Sequence, residues 1–248
     1  MKRYGLIGYP LGHSFSQKYF TEKFSRENID ADYTLFPIPT IDDLPALLND
    51  IPELVGLNVT IPYKEKVIPF LDDFDADAKA VGAYNVIKIT RQPNGKYFLK
   101  GYNSDTYGFR ESIRPLLQPH HKKALVLGTG GASKAAVATL HSLGISTTLV
   151  SRSQSKGQLT YDDLSAEVMA ENLLIVNATP LGMSPNVDTC PPIPYDCLTT
   201  KHLCFDIVYN PLKTLFLQKA EQQGVTIKNG LEMLHLQAEG AWKIWNEK

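Results

Sequence analysis

A short apolar run that leads into a cluster of glycines constrains the fold of this chain more than any other feature. Ala124-Leu125-Val126-Leu127 is apolar throughout, which predicts a strand buried on both faces, as in a parallel sheet. Gly128-Thr129-Gly130-Gly131-Ala132-Ser133 predicts a tight turn, and Lys134–Leu143 predicts a helix that ends at Gly144. Because small residues let the backbone approach a pyrophosphate at a helix N-terminus, this turn is typical of a nucleotide-binding site.

The next predicted strand, Thr147–Val150, ends in a basic loop with several hydroxyl groups. A site for NAD normally has an Asp or Glu at this strand end, which binds the ribose 2′-hydroxyl, and neither is present here. Arg152 and Lys156 stand there instead, and Ser151 and Ser153 flank the arginine. Guanidinium, ammonium and hydroxyl groups suit a 2′-phosphate, so the loop predicts NADP as the cofactor. The alternative is an exposed loop with two solvated cations.

A second strand end carries an amide, a hydroxyl and an ammonium group. Residues 55–61 alternate apolar and polar side chains, which predicts a half-buried strand that Pro62 ends. Pro62 also suits the first turn of a helix, and that helix would contain Lys64. Together, Asn58, Thr60 and Lys64 are typical of a site for a small polyhydroxylated molecule. A lysine that simply points into water is the alternative.

Polar side chains also occur at the ends of other predicted elements. Ser14 and Ser16 precede a predicted helix, where free N–H groups favour an anion, although a serine there can equally cap the helix. Asp105 lies in the first turn of another predicted helix, where compensation of the helix dipole would explain it. Gln237 falls on the apolar stripe of the last predicted helix, residues 231–246, so its amide needs either a backbone partner or a ligand.

These motifs, in this order, resemble those of the shikimate dehydrogenase family over nearly the whole chain. They are H-S-x-S at residues 13–16, G-x-N-V-T-x-P-x-K at 56–64, G-A-x-N at 82–85, G-x-N-x-D-x-x-G at 101–108, G-x-G-G-A-S at 128–133, N-A-T-x-x-G-M at 177–183, D-x-x-Y-x-P at 206–211 and G-L-x-M-L-x-x-Q-A at 230–238. The family's serine motif continues with a proline where this chain has Gln17. That departure affects the rigidity of the loop more than its chemistry.

The resemblance implies a role for individual residues. It implies that Lys64 and Asp105 are the catalytic pair, and that both also bind the substrate. The other substrate-binding residues that it implies are Ser14, Ser16, Asn58, Thr60, Asn85, Tyr209 and Gln237. To the glycine-rich turn and the basic loop it adds the cofactor-binding residues Ala178, Thr179, Ile207 and Gly230.

The same resemblance implies an α/β fold of two domains and a reaction. Residues 1–103 with the C-terminal helix 230–248 would bind shikimate, and residues 104–229 would form a Rossmann-like, doubly wound NADP-binding domain. The implied reaction is the reversible reduction of 3-dehydroshikimate to shikimate, on the route to chorismate and the aromatic amino acids. A quinate/shikimate dehydrogenase with broader substrate and cofactor use is one alternative. A catalytically silent NADP-sensing protein is another, although it should have lost Lys64 or Asp105.

Charge and composition restrict the other partners. Lys plus Arg number 25 and Asp plus Glu 26, so we expect neither nucleic acid nor a membrane surface as a partner. No apolar run approaches the ~20 residues of a membrane span, and Gly and Pro interrupt the N-terminal run early, so we expect a cytoplasmic protein.

The spacing of Cys190, Cys197 and Cys204 matches no zinc motif, and we expect no metal. A monomer and a homodimer are both compatible with the sequence.

Replacing Arg152 with alanine should raise KM for NADP and leave the use of NAD little changed, because only NADP carries the 2′-phosphate. A hydrogen bond to a charged group contributes ~1.5–3 kcal/mol, so KM should rise on the order of tenfold or more. Steady-state rates measured with each cofactor in turn test this prediction. An equal loss with both cofactors would mean that the loop does not select the 2′-phosphate.

Overall fold

The computed structural model describes residues 1–12, 14–154 and 157–247. The strands of this part of the chain are β1 (Lys2–Ile7), β2 (Ala31–Phe36), β3 (Leu54–Val59), β4 (Asp73–Phe74), β5 (Val86–Arg91), β6 (Tyr97–Tyr102), β7 (Lys123–Leu127), β8 (Ser146–Ser151), β9 (Leu159–Thr160), β10 (Leu174–Asn177), β11 (Leu203–Asp206) and β12 (Thr226–Lys228). Its α-helices are α1 (Phe15–Arg26), α2 (Leu44–Asp50), α3 (Ala76–Val81), α4 (Ser104–Ile113), α5 (Gly131–Ser142), α6 (Ala166–Glu171), α7 (Leu215–Gln222) and α8 (Leu231–Asn246).

The chain forms two compact units. Unit 1 comprises Met1–Ser104 and Ala238–Lys248, and unit 2 comprises Asp105–Gln237. The second boundary therefore falls within α8, whereas the sequence placed it at residue 230. The first half of α8 packs within unit 2 against α4, where a Cβ at Gly108 would lie 2.6 Å from the carbonyl oxygen of Met233. Which ligand each unit binds stays a prediction.

Unit 1 is a mixed sheet with strands in the order β2-β1-β3-β5-β6-β4. β1 runs parallel to β2 and β3, whereas β5 runs antiparallel to β3 and β6. One aliphatic cluster includes Leu44 and Leu48 of α2 together with Leu57 of β3. A second, aromatic cluster joins α1 and α8 to the sheet through Phe20 and Trp245. Both faces of the sheet are therefore covered by helices.

Unit 2 is a six-stranded parallel sheet in the order β12-β11-β10-β7-β8-β9. The chain proceeds from β7 outward to β9 and then returns to β10 on the other side of β7, which is the topology of a doubly wound sheet. Leu125 and Leu127 belong to one hydrophobic cluster, and Ala124 and Val126 belong to another. The predictions of a strand buried on both faces and of an α/β fold class are confirmed.

The helix predicted to begin at Pro62 is wrong. Residues 61–67 form consecutive turns, and a 3-10 turn follows at Ile68–Phe70. The side chains of Tyr63 and Val67 are both buried in the aliphatic cluster, and Val67 N–H donates to the carbonyl of Tyr63 at 2.9 Å. The carbonyl of Lys64, which an α-helix would pair with the Ile68 N–H, accepts the N–H of Tyr84 instead, and the Ile68 N–H donates to the carbonyl of Glu65, so no α-helix forms. The last helix, predicted over residues 231–246, is confirmed by α8.

Within the described residues, no helix is both long enough and apolar enough to cross a membrane.

Gly56→Ala should lower the free energy of unfolding by ~1–3 kcal/mol, the usual cost of overfilling a packed core. A Cβ at Gly56 would lie 2.5 Å from Nε1 of Trp245, whose N–H donates to the carbonyl of Ile87 at 3.0 Å. Urea unfolding followed by tryptophan fluorescence measures the change. Gly12→Ala is the matched control, because no atom lies within 4 Å of a Cβ there. If the two variants had the same urea midpoint, the close packing of Trp245 on β3 would not contribute to the stability of the fold.

Candidate functional site

The predicted substrate residues of unit 1 lie at one edge of its sheet. β1 and β3 are parallel, so the segments that follow them leave the sheet at the same edge, and Thr60 N–H donates to the carbonyl of Ile7 at 3.0 Å. β5 is antiparallel to β3, so Asn85, just before β5, lies at that edge too. The carbonyl of Lys64 accepts the N–H of Tyr84 at 2.8 Å, which ties the segment after β3 to the start of β5.

Five residues at this edge form a continuous hydrogen-bonded chain: Ser16, Tyr33, Asn58, Asn85 and Ser104. The Tyr33 hydroxyl is bonded to Ser16 and donates to Oδ1 of Asn58 at 2.7 Å. Nδ2 of Asn58 donates to the carbonyl of Asn85 at 3.3 Å, and Oδ1 of Asn85 accepts the backbone N–H of Ser104 at 2.7 Å. Both amides are buried, so their orientations are set by these partners.

Tyr33 is not among the residues that the sequence predicted for this site. Its ring is buried in β2, and burial raises the pKa of its hydroxyl well above the ordinary value, although the bond with Ser16 acts in the opposite direction. A tyrosine in a half-buried strand is ordinary core, so no local pattern marks it. What gives Tyr33 its place in the hydrogen-bonded chain is the pairing of β2 with β1 and of β1 with β3.

The N-terminus of α1 also lies at this edge. Ser14 occupies the N-cap position, but its side chain makes no capping hydrogen bond, and the Ser16 hydroxyl is bonded to Tyr33. The capping alternative is therefore wrong for Ser14. Backbone N–H groups at the start of a helix and two nearby hydroxyls can together hold an anion.

Asp105 and Gln237 lie on two helices of unit 2 that approach each other closely. A Cβ at Gly108 of α4 would lie 2.6 Å from the carbonyl oxygen of Met233 and 3.0 Å from the backbone nitrogen of Gln237. The close approach of α4 to α8 therefore requires a glycine at this position. Asp105 is in the first turn of α4, as predicted, and both side chains are buried. Nε2 of Gln237 donates to the carbonyl of Leu234 at 3.0 Å, so its amide nitrogen has the backbone partner that the sequence offered as one alternative.

Lys64 belongs to unit 1 and Asp105 to unit 2, and their pairing stays a prediction.

The glycine-rich turn of unit 2 connects β7 to α5. Gly128 has a φ of +104°, which favours glycine, and its N–H donates to the carbonyl of Val150 at 2.8 Å. The Ser133 hydroxyl donates to the carbonyl of Gly128 at 2.6 Å, so the last residue of the glycine-rich segment stabilises the turn. Gly130 is the N-cap of α5 and has no side chain to occupy its first N–H groups. These residues fit a pyrophosphate.

The predicted cofactor residues after β10 and β11 lie beside this turn. The strand order reverses between β7 and β10, and ligands of doubly wound sheets bind at such a reversal. A Cβ at Gly128 would lie 3.1 Å from Cγ2 of Thr179, and Ala178 N–H donates to the carbonyl of Leu127 at 2.9 Å. At the next strand end, the backbones of Ile207 and Gly230 are in direct contact.

The basic loop follows β8. Ser151 closes that strand and is buried, whereas Arg152 and Ser153 are exposed. Burial raises the pKa of the Tyr161 hydroxyl, and the cation of Arg152 acts on it in the opposite direction, so this phenol lies near the guanidinium. The sequence analysis missed Tyr161. Lys156, the other predicted cation, lies outside the described residues.

A buried carboxylate at the end of β11 links several segments of unit 2. Asp206 is fully buried and accepts hydrogen bonds from Nδ2 of Asn177 at 3.0 Å, from the Val208 N–H at 3.0 Å and from the Thr214 hydroxyl at 2.5 Å. Burial raises the pKa of Asp206 to about 6, although each of these donors acts to lower it. Asn177 and Asp206 lie in predicted motifs, but nothing in the sequence shows that they touch.

Among the described residues, no group of three or more His, Cys, Asp or Glu side chains could hold a metal ion.

The fold and these sites define an α/β protein of two units, one of them Rossmann-like with a nucleotide-type turn at its switch point. A family model described as the shikimate dehydrogenase substrate binding domain matches residues 6–87. A shikimate dehydrogenase (NADP(+)) from Desulforamulus reducens is 36% identical over 97% of this chain and 88% of the relative. The chain belongs to the shikimate dehydrogenase family, as its motifs predicted.

Solved structures of this fold include proteins named for two substrates. Shikimate 5-dehydrogenase from Thermus thermophilus, in complex with NADP(H) and shikimate, has a TM-score of 0.85 at 29% identity and covers 99% of this chain and 94% of that one. Quinate dehydrogenase from Corynebacterium glutamicum, in complex with NAD, has a TM-score of 0.87 at 25% identity and covers 99% and 93%. Because the fold is common to both, the side chains of the site must decide between them.

Asp206 should make the free energy of unfolding fall as the pH rises from about 4 to about 6. Its pKa is raised from an ordinary 3.8 to about 6, so in this window the folded state holds a proton that the unfolded state has lost. Each pH unit then lowers the stability by about 1 kcal/mol, and the effect levels off at higher pH.

Asp206→Asn cannot titrate and is the control for this prediction. Urea midpoints of both proteins, measured across the window, should show the wild type losing stability relative to the variant as the pH rises. A difference that stays constant with pH would mean that the buried carboxyl keeps an ordinary pKa.

Proposed function

We propose that this chain catalyses the reversible, NADP-dependent reduction of 3-dehydroshikimate to shikimate. The observation that carries the proposal is the hydrogen-bonded chain of unit 1, which orients Ser16, Asn58 and Asn85 at the sheet edge where Lys64 also lies. Hydroxyl, amide and ammonium groups at one edge suit a small ligand with one carboxylate and several hydroxyls. The names of the relatives, which specify shikimate and NADP, support the same function.

The substrate carboxylate is bound by Ser14 and Ser16 with the first N–H groups of α1, because an uncapped helix N-terminus favours an anion. Asn58, Thr60 and Asn85 bind the hydroxyl groups. Tyr33 contributes by occupying Oδ1 of Asn58. One N–H of this amide donates to the carbonyl of Asn85, and the other is offered to the substrate. Tyr209 and Gln237 complete the proposed substrate-binding set.

NADP is held by residues of unit 2. Gly128, Thr129, Gly130, Gly131 and Ala132 surround the start of α5, where N–H groups bind the pyrophosphate. Ala178, Thr179, Ile207 and Gly230 supply the backbone surface at the ends of β10 and β11, and the 2′-phosphate is bound by Ser151, Arg152, Ser153 and Lys156. When bound, NADP supplies the hydride chemistry of the reaction.

The proton is handled by Lys64 and Asp105. The oxygen of the reacting carbon must gain a proton in one direction of the reaction and lose it in the other. An ammonium at Lys64 can donate to that oxygen and stabilise the negative charge that develops on it. Asp105 orients Lys64 and binds a neighbouring hydroxyl.

The proposed reaction belongs to chorismate and aromatic amino-acid biosynthesis, for which the cytoplasm is the expected location. A monomer and a homodimer both satisfy the proposal, since all the proposed residues come from one chain.

The proposal is tested by initial rates of NADP reduction with shikimate, compared with quinate and repeated with NAD. Strong preference for shikimate with NADP is the expected result. Comparable turnover of quinate, or comparable use of NAD, would assign the chain to the broader quinate/shikimate branch, which shares its fold. No turnover with any pair would favour the silent NADP-sensing alternative.

Lys64→Ala should lose most of kcat, on the order of a hundredfold or more, with only a small change in KM for shikimate, because it removes the proton donor. Lys66→Ala is the matched control: it removes an exposed cation two residues away and should leave both constants near wild type. Wild-type kcat in Lys64→Ala would exclude the lysine from the mechanism.

A further inference from the structure

The carboxylate of Asp206 joins three segments of unit 2 that are separate in sequence. Asn177 ends β10, Val208 lies in the loop after β11, and Thr214 is the N-cap of α7. Each donates one hydrogen bond to the carboxylate, and the carboxylate itself has no exposed surface. These contacts fix the carboxylate relative to two strand ends and one helix start.

Asn177 extends this network into the loop after β10. Its Oδ1 accepts both the backbone N–H and the hydroxyl of Thr179, at 3.0 and 2.6 Å. Its Nδ2 donates to Asp206 and, at 3.5 Å, to the carbonyl of Leu181. An amide whose oxygen and nitrogen are both engaged cannot rotate without losing these bonds. Asp206 therefore determines which way Asn177 faces, and Asn177 determines the course of residues 178–181.

Thr214 extends the network to the loop after β11. Its hydroxyl donates to Asp206 and accepts the N–H of Leu217, so the same oxygen caps α7. Residues 207–214 are thus anchored at both ends, by the Val208 N–H and by Thr214. The two loops are also joined directly, since Ser184 N–H donates to the carbonyl of Asn210 at 3.0 Å.

The ionised form of the carboxyl at this position has a cost in folding free energy. Burial raises the pKa of Asp206 to about 6, so at neutral pH the ionised form is held at a cost in folding free energy. A carboxylate, however, can accept all three bonds at once, which an asparagine of the same shape cannot do, because one of its two terminal groups is a donor. The ionised side chain thus serves three donors that lie in three different segments.

We propose that Asp206 is a positioning residue for the bound dinucleotide, holding the loops after β10 and β11 in the conformation that receives it. This inference rests on the proposed function, since it takes NADP as the ligand of unit 2. Both loops leave the sheet at its carboxyl edge, and Ala178, Thr179 and Ile207 are the residues that meet the cofactor. Within the described part of the chain, Asp206, Asn177 and Thr214 make no hydrogen bond to the loop after β8, so we expect the 2′-phosphate end of the cofactor to be held independently of Asp206.

The test compares two ligands of the wild type and of variants at Thr214. NADPH, followed by its fluorescence, reports on the whole site, and adenosine 2′,5′-bisphosphate reports on the 2′-phosphate end alone. Thr214→Val removes the hydroxyl at nearly constant volume, so the Kd for NADPH should rise about tenfold, as expected for loss of a hydrogen bond to a charged group. The Kd for adenosine 2′,5′-bisphosphate should stay at the wild-type value.

Two further variants distinguish an effect on the position of the two loops from a general loss of structure in unit 2. Thr214→Ser keeps the hydroxyl and should restore wild-type affinity for NADPH. Ser165→Ala removes the N-cap of α6, whose hydroxyl accepts the N–H of Val168 at 3.3 Å in the same unit, and should leave both ligands unaffected. If Thr214→Val does not fold, Asp206→Asn serves instead, because it keeps the shape and removes one acceptor.

The outcomes distinguish this inference from the proposed function. Wild-type affinity of Thr214→Val for NADPH, or an equal loss with both ligands, would overturn the inference. If Thr214→Val loses affinity for NADPH but not for adenosine 2′,5′-bisphosphate, and the wild type does not oxidise shikimate, the inference is supported and the proposed reaction is overturned. A wild-type chain that binds no NADPH would overturn both.

Discussion

A polar group that is buried away from water must find its hydrogen-bond partner inside the protein, and both sheets of this chain depend on that rule at their carboxyl edges. An unsatisfied group costs ~1–3 kcal/mol, so each buried amide or carboxylate ties its strand end to a neighbouring segment. In unit 1 the ties are Asn58 and Asn85. In unit 2 they are Asn177 and Asp206. The side chains proposed to bind ligands lie on the segments that these hydrogen bonds hold in place.

The helices that follow the parallel strands differ in a way that matches this arrangement. α6 and α7 begin with Ser165 and Thr214, whose hydroxyls accept backbone N–H groups of the first turn. α1 and α5 begin with Ser14 and Gly130, which make no side-chain capping bond. At these two helix starts, therefore, no N-cap side chain competes with an anion. These two helices follow β1 and β7, where the carboxylate of the substrate and the pyrophosphate of the cofactor are proposed to bind.

Local patterns fail where a tertiary contact outweighs backbone preference. Pro62 favours the first turn of a helix, but the carbonyl of Lys64 pairs with the N–H of Tyr84 instead of continuing a helix. Ser14 has the residue type of a helix cap, yet its hydroxyl does not serve as one. For Lys64 the deciding partner, Tyr84, comes from elsewhere in the fold. The assignment of Lys64 to the substrate edge does not depend on the helix, because the pairing of β3 with β5 sets it.

The sequence by itself determined the fold class, most strand and helix positions and the family, because hydrophobic period, glycine turns and motif spacing are local properties of a chain. It also named most of the proposed site residues. Only the tertiary structure decided the roles of Tyr33 and Asp206, whose partners Asn58 and Asn177 lie 25 and 29 residues away in the chain. Which side chains meet across a sheet depends on strand order and register, and hydrogen bonds of buried groups form only after those are set.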